Sequence, residues 1–242
     1  MAHAHHFSDR LVALPQADRR LLKSMSAVAL LALFIGILAG VATALVRGGL
    51  LSVPMADGYR FLTVHGVGIF FYWLFITQTA LLLGLAACEN GQGLAWRQLA
   101  WVAFALMLSG LVLSMVGSVS GTPLLYNGAP ELVRDNPRGL LLFNLGYSFL
   151  GLGLMVLPAS AIVTLLRPRW QGQQDKLSAV GFALFAWAGF LVVTGFAALY
   201  TFVPGVLWAL GVGPFPLSHG TRWHIVFHNM HYLPLMATVI LW

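Results

Sequence analysis

The sequence predicts an all-α membrane protein, a polytopic bundle of six transmembrane helices. Three observations lead to this prediction: 59% of the 242 residues are hydrophobic, only 8% are charged, and the charged residues gather in clusters. A soluble domain is about a quarter charged, so the composition excludes a water-soluble globule. Between the clusters lie six uncharged runs, each at least as long as the ~20 residues that a spanning helix needs. These runs are 24–46, 61–88, 98–130, 139–166, 177–221 and 223–242.

We place the six spans at 24–46, 61–88, 97–117, 139–166, 177–203 and 222–242, with residues 1–23 as a polar arm and 24–242 as the membrane domain. Lysines and arginines on the side of the N-terminus outnumber those on the other side. The first group is Arg10, Arg19, Arg20, Lys23, Arg97, Arg167, Arg169 and Lys176; the second is Arg47, Arg60, Arg134, Arg138 and Arg222. The positive-inside rule therefore predicts a cytoplasmic N-terminus in a multi-pass protein of the cell's inner, cytoplasmic membrane.

The cysteine count and the net charge exclude further classes. One cysteine permits neither an internal disulfide framework nor a zinc or iron–sulfur site of the CxxC type. The formal charge of +6 is explained by membrane topology, since its largest cluster lies beside the first span. We therefore expect a lipid bilayer as partner and no nucleic acid.

Two of the uncharged runs are longer than one span, and both end in glycines and prolines. Because these residues stop helices, the fifth helix is predicted to end before Pro204. The outer face should then carry apolar loops, with Trp208 and Trp223 as interface anchors. The last span reaches Trp242 without a charged flank, which we interpret as a chain that stops inside or just after a helix.

Histidine is almost the only ionisable residue type inside the predicted spans, where such residues usually face the bundle interior. His65 lies early in the second span, at a depth similar to that of His228 in the sixth. The i, i+4, i+7 spacing of His224, His228 and His231 places them on one stripe, and Tyr232 follows His228 by four residues. Imidazole suits iron, copper and zinc, so we predict these four histidines as metal ligands. The alternative is a hydrogen bond from each to a neighbouring helix.

Other polar residues in the spans could line a water or proton path, although hydrogen bonding between helices explains them equally well. They are Thr77, Gln78, Thr79, Asn144, Tyr147, Ser148, Tyr200 and Thr201. Gly36 and Gly40 form a GxxxG pair, which is typical of close helix packing.

Two segments carry a family resemblance. Tyr59-Arg60-Phe61-Leu62-Thr63-Val64-His65-Gly66 resembles the second helix of haem-copper oxidase catalytic subunits, where a Leu-Thr-x-His-Gly pattern supplies an axial ligand to the low-spin haem. His228-Asn229-Met230-His231-Tyr232 resembles that family's His-Pro-Glu-Val-Tyr or His-Pro-Ile-Val-Tyr motif, with the same His-to-Tyr spacing. Residues 122–153 are similar to the third-to-fourth helix region of B-type members. Met230 stands where A-type members have glutamate, which favours the B-type branch or a nitric-oxide-reducing relative.

The resemblance implies that His65 binds a low-spin haem, that His228 binds copper B and that Tyr232 is the catalytic redox-active tyrosine. It covers helices one to six of the family's fold, so the high-spin haem is expected from helices that follow. Asn229 replaces the usual proline, and His224 and His231 have no family counterpart. The implied function is the catalytic subunit, or a part of one, of a respiratory terminal oxidase that transfers electrons from cytochrome c or quinol to dioxygen with proton translocation. Its implied partners are other oxidase subunits and a small electron donor such as cytochrome c.

Three alternatives stay open at this point. The chain could be a nitric oxide reductase-like member of the same family. It could be a small membrane protein that binds copper or zinc through the helix-six histidines alone, since His224 and His228 have the i, i+4 spacing of single-helix metal sites. It could also be a non-catalytic subunit or a transporter, in which the imidazoles are packing groups or proton relays.

Overall fold

The computed structural model describes residues 9–121, 123–134 and 137–241; His3, His5, His6 and Trp242 lie outside these ranges. The described residues are all-helical, with 81% helix and no strand. Six long helices follow one another along the chain: α1 (Gln16–Arg47), α2 (Met55–Asn90), α3 (Arg97–Val119), α4 (Arg138–Trp170), α5 (Ala179–Ala209) and α6 (His219–Leu241). A short 3₁₀ turn at Pro130–Val133 lies between α3 and α4.

Five of these helices, α1 to α5, are long and apolar enough to cross a membrane, as expected of a multi-pass membrane protein. Their surfaces agree, because Leu30, Phe34 and Val41 of α1 expose more than half of their area (62%, 58% and 53%). Such faces suit a solvent of lipid tails. The sixth predicted span is a helix that contains Arg222 and four histidines, and it is not one of these five. Its crossing of the membrane and the cytoplasmic N-terminus stay predictions.

Helix boundaries follow local chemistry at several ends. The hydroxyl of Ser178 accepts a 2.8 Å hydrogen bond from the backbone N–H of Gly181, which caps the start of α5. Gly91 ends α2 in the left-handed conformation (φ 61°), where a glycine carries no steric penalty. The predicted stop before Pro204 is wrong, since α5 continues through this proline to Ala209. Membrane helices tolerate an internal proline because neighbouring groups satisfy the freed backbone.

The core of the bundle is a cluster of aromatic side chains in which α4 packs against α2 and α5, and α6 packs against α2. The ring of Tyr147 stacks on Phe202 at 4.5 Å between centroids and meets the edge of Phe71 at 4.6 Å. Trp223 of α6 packs on Phe71 at 5.4 Å and is only 7% exposed. Trp223 is therefore a core residue that docks α6, and the prediction of an interface anchor at this position is wrong.

A buried ion pair ties the start of α1 to the connection between α2 and α3. Asp18 is fully buried and accepts hydrogen bonds from the Arg97 guanidinium and, at 2.9 Å, from the backbone N–H of Leu94. From the other side of the connection, Ser160 of α4 donates to the carbonyl of Ala95 at 2.5 Å. These contacts fix α1, the 91–96 connection and α4 relative to one another at one end of the bundle.

Candidate functional site

The imidazole of His65 is held against the backbone of α1. His65 lies in the first part of α2 and is half-buried. Its Nδ1 is 2.8 Å from the carbonyl oxygen of Gly36, and because a carbonyl oxygen can only accept, Nδ1 carries the proton. In the neutral ring this leaves the lone pair on Nε2. A metal-binding histidine is held in this way, with one ring nitrogen on a carbonyl and the other presented to the metal.

Gly40 of α1 makes the space that this ring occupies. A Cβ added to Gly40 would lie 2.6 Å from Nδ1 of His65, closer than real Cβ atoms approach. A Cβ added to Gly68 on α2 would lie 2.8 Å from the carbonyl oxygen of Ala32, so the two backbones nearly touch one turn further along. The GxxxG pair was predicted to serve close helix packing. It does so, since a Cβ at Gly36 would lie 2.8 Å from the Ile69 side chain, and Gly40 in addition leaves the space for the His65 ring.

A π-helical segment begins two residues after His65, at Val67–Trp73 inside α2. π-segments are rare, and they frequently occur at functional sites because their wider turn changes which residues face the neighbours. Here Phe71 and Tyr72 are adjacent in sequence and both are fully buried. Sequence reasoning missed this segment, since the aromatic run Phe70–Trp73 fits an ordinary α-helix equally well.

The stripe on α6, defined by His224, His228, His231 and Tyr232, is exposed along its whole length. The His228 ring meets the Tyr232 ring edge-on at 4.9 Å between centroids, so this pair is in contact as its spacing predicts. Nδ1 of His231 donates to the carbonyl of Phe227 at 2.7 Å, which again leaves Nε2 with the lone pair. The neighbours Asn229 and Met230 are buried and orient the helix, so that the stripe faces away from the bundle.

The stripe borders an open groove whose lining comes from α6 alone, with Ile225 and Phe227 beside the histidines. His65 instead contacts α1, so the described residues do not bring His65 and the stripe into one site. Within the described ranges, no three His, Cys, Asp or Glu side chains lie close enough together to hold a metal ion. A multi-ligand metal centre on this stripe would need further ligands from elsewhere.

Three of the eight other polar candidates are satisfied inside their own helices. The hydroxyls of Thr79, Ser148 and Thr201 each donate to the carbonyl four residues earlier, at 2.6, 2.8 and 2.7 Å. This pattern favours the hydrogen-bonding interpretation over a proton path. Asn144 differs, because it is fully buried and neither atom of its amide has a partner among the described residues.

His219, a residue that sequence reasoning missed, holds the loop before α4. It is 1% exposed, and its Nε2 donates to the carbonyl of Asn127 at 2.8 Å. The hydroxyl of Tyr147 donates to the neighbouring carbonyl of Tyr126 at 3.0 Å. His219 precedes the predicted span at 222–242, and burial lowers its pKa below the ordinary value. It was hidden among glycines and prolines that predict a loop, and no signal in its neighbours marks it.

No protein-family model matches the chain, and no curated protein matches it. The features that point to a function are therefore the geometry of His65 and of the α6 stripe, together with the motifs that contain them.

Proposed function

We propose that the chain is the membrane-embedded catalytic subunit, or the N-terminal half of one, of a haem-copper terminal oxidase. In this proposal it transfers electrons from cytochrome c or quinol to dioxygen with proton translocation, alongside other oxidase subunits in the cell's inner membrane. The observation that carries the proposal is the His65 imidazole, whose Nδ1 is occupied by the Gly36 carbonyl and whose Nε2 has the lone pair. It lies within the segment that resembles the family's haem-binding helix.

The residues around His65 fit an axial haem ligand. A second hydrogen bond from the ligating imidazole fixes the ring's orientation and raises its basicity, and the Gly36 carbonyl supplies that bond. Gly40 leaves room for the ring against α1. A low-spin haem bound through Nε2 of His65 would supply a rapid one-electron carrier.

The stripe fits part of a copper site. His228 would bind copper. Tyr232, whose ring contacts the His228 ring, would be a source of a proton and an electron. His224 and His231 offer two more imidazoles on the same exposed face, and imidazole nitrogen favours iron, copper and zinc over calcium or magnesium. The remaining copper ligands and the high-spin haem would come from helices outside the described residues, packed on this exposed face.

The test is a reduced-minus-oxidised visible spectrum, a pyridine haemochrome assay and copper and zinc analysis of the detergent-purified chain. We expect haem in the wild type. His65→Ala should abolish the low-spin haem absorbance and leave copper unchanged, while His228→Ala should lower copper and leave that absorbance intact. Each variant is the other's control, because each removes a single imidazole, His65→Ala from α2 and His228→Ala from α6.

The proposal is overturned if the wild-type chain contains no haem, or if His65→Ala keeps the full absorbance. A haem-free chain with stoichiometric copper or zinc would instead establish the small metal-binding protein. Where haem is present, consumption of dioxygen against nitric oxide by the assembled enzyme separates the oxidase from its nitric-oxide-reducing variant.

A further inference from the structure

An apolar groove of about 630 Å³ runs between α1 and α2, and its lining includes neither His65 nor a residue of the α6 stripe. It is lined by carbon-rich side chains of both helices, among them Leu22, Leu30, Trp73 and Ala80, and by Leu11, which precedes α1. It exists partly because of Gly84, where a Cβ would meet only Leu22 and Leu11, at 3.6 and 3.9 Å. A longer side chain at position 84 would therefore project into the groove.

The charge at the groove is positive and lies at one end. Lys23 is exposed and is the charged member of the lining, which contains no carboxylate among the described residues. Next to Leu11, the exposed Arg10 donates to the carbonyl of Cys88 at the end of α2, 3.4 Å away, which places a second cation near the opening. The nearby Asp18 is fully buried and paired with Arg97, so it does not offset these charges.

The length of the groove matches one leaflet of a bilayer. Lys23 is the last charged residue before the uncharged run 24–46, so it lies where the membrane interface is expected. From there the lining reaches Leu30, about 10 Å along α1, and on α2 it extends from Gly84 to Trp73, about 16 Å. Half of a ~30 Å hydrocarbon core is about 15 Å.

We propose that this groove is a binding site for an anionic phospholipid. The headgroup phosphate pairs with Lys23, with Arg10 nearby, and one acyl chain lies between α1 and α2 alongside Trp73. Basic pockets between transmembrane helices bind anionic headgroups, and the apolar lining selects a lipid over free phosphate. The site is independent of haem or copper binding.

The experiment uses the full chain reconstituted into vesicles of phosphatidylcholine with a minor fraction of phosphatidylglycerol. After mild detergent extraction, the co-purifying lipids are quantified by mass spectrometry. We expect phosphatidylglycerol to be enriched over its share in the vesicle, and inorganic phosphate not to displace it. Lys23→Gln should lower this enrichment about five-fold, equivalent to the roughly 1 kcal/mol that one lysine contributes near an anionic surface. The matched control is Lys176→Gln, an exposed lysine outside the groove, which should leave the enrichment unchanged.

Filling the groove tests the acyl-chain half of the proposal. Gly84→Leu should reduce the retention of both lipids several-fold. Ser26→Leu fills the same groove from an exposed position and should do likewise without disturbing the core. The proposal is wrong if Lys23→Gln behaves like Lys176→Gln, if a folded Ser26→Leu chain retains lipid at the wild-type level, or if inorganic phosphate alone displaces the bound lipid.

Discussion

His65 of α2 donates a hydrogen bond of 2.8 Å to the main-chain oxygen of Gly36 in α1. This contact joins the two helices beside the close approach of Gly68 to Ala32, and it decides which ring nitrogen keeps its lone pair. Because the acceptor is a backbone atom, no substitution at position 36 removes it directly. The ring can be displaced only by changing the space around it.

Gly40→Ala should displace the ring. The new Cβ would lie 2.6 Å from Nδ1, so either the imidazole moves or α1 and α2 separate. Overpacking of this kind destabilises a protein by about 1–3 kcal/mol. We expect a lower midpoint of thermal unfolding in detergent and, under the proposed function, weaker low-spin haem absorbance.

Gly189→Ala is the matched control for this change, since a Cβ there would meet nothing within 4 Å. Alanine favours helix over glycine by up to ~1 kcal/mol, so Gly189→Ala should hold or raise the midpoint. Equal midpoints for the two variants would contradict the close contact at Gly40.

Asp18→Ala should destabilise the end of the bundle where α1 meets the 91–96 connection. It leaves the backbone N–H of Leu94 and the Arg97 guanidinium without their acceptor. A broken buried pair costs about 3–5 kcal/mol. The Arg97 side chain is 38% exposed and can reach water, so we expect a loss of about 2–3 kcal/mol in the free energy of unfolding. Thermal unfolding measures this loss, and limited proteolysis near residues 91–96 should become faster.

Asp57→Asn provides the comparison, because Asp57 pairs with Arg60 at 2.6 Å on the surface, with 40% and 30% of the side chains exposed. Exposed pairs contribute about 0–1 kcal/mol. If Asp18→Ala proved as mild as Asp57→Asn, the buried pair would not anchor α1.

Acidification should weaken the packing of α6 through His219. Burial lowers the pKa of His219 below its ordinary value of 6.5, so the unfolded chain binds a proton that the folded chain does not. Stability is therefore fully present above pH 6.5 and falls as the pH drops toward the lowered pKa. Glu131 opposes the shift and Arg222 adds to it, but burial is the largest cause.

The check is the midpoint of thermal unfolding, measured above and below pH 6.5 for the wild type and for His219→Gln. Glutamine can still donate to the Asn127 carbonyl but does not titrate in this range. The wild type should lose more stability on acidification than the variant. Parallel pH profiles would show that other groups govern the acid sensitivity.

The positions of the helices were largely predictable because bilayer thickness and the cost of a charge in lipid set them. The predicted span 97–117 corresponds to Arg97–Val119, and 61–88 lies within Met55–Asn90. The clustering of His224, His228 and His231 on one face was also correct, since helical period alone decides it.

The direction in which those faces point was not predictable. Helical periodicity shows which residues share a face of a helix, but it does not show which other helix packs on that face. The sequence alone therefore could not show that His65 contacts α1 while the stripe faces outward. His219 depends on a contact with Asn127, which lies 92 residues earlier in the chain. Such long-range contacts leave no local pattern in a single sequence.

The π-segment at Val67–Trp73 divides α2 into two halves, and its wider turn changes how the side chains of one half are rotated about the helix axis relative to those of the other. Removing one residue from it would restore the regular α-helical ladder and turn His65 by about 100° around the helix axis relative to Phe75. The first half of α2 can therefore present its imidazole to α1 while the second half keeps its own alignment with the aromatic core. A one-residue insertion or deletion here would rotate the whole first half of α2, and His65 with it, about the helix axis. No single substitution could reproduce this change.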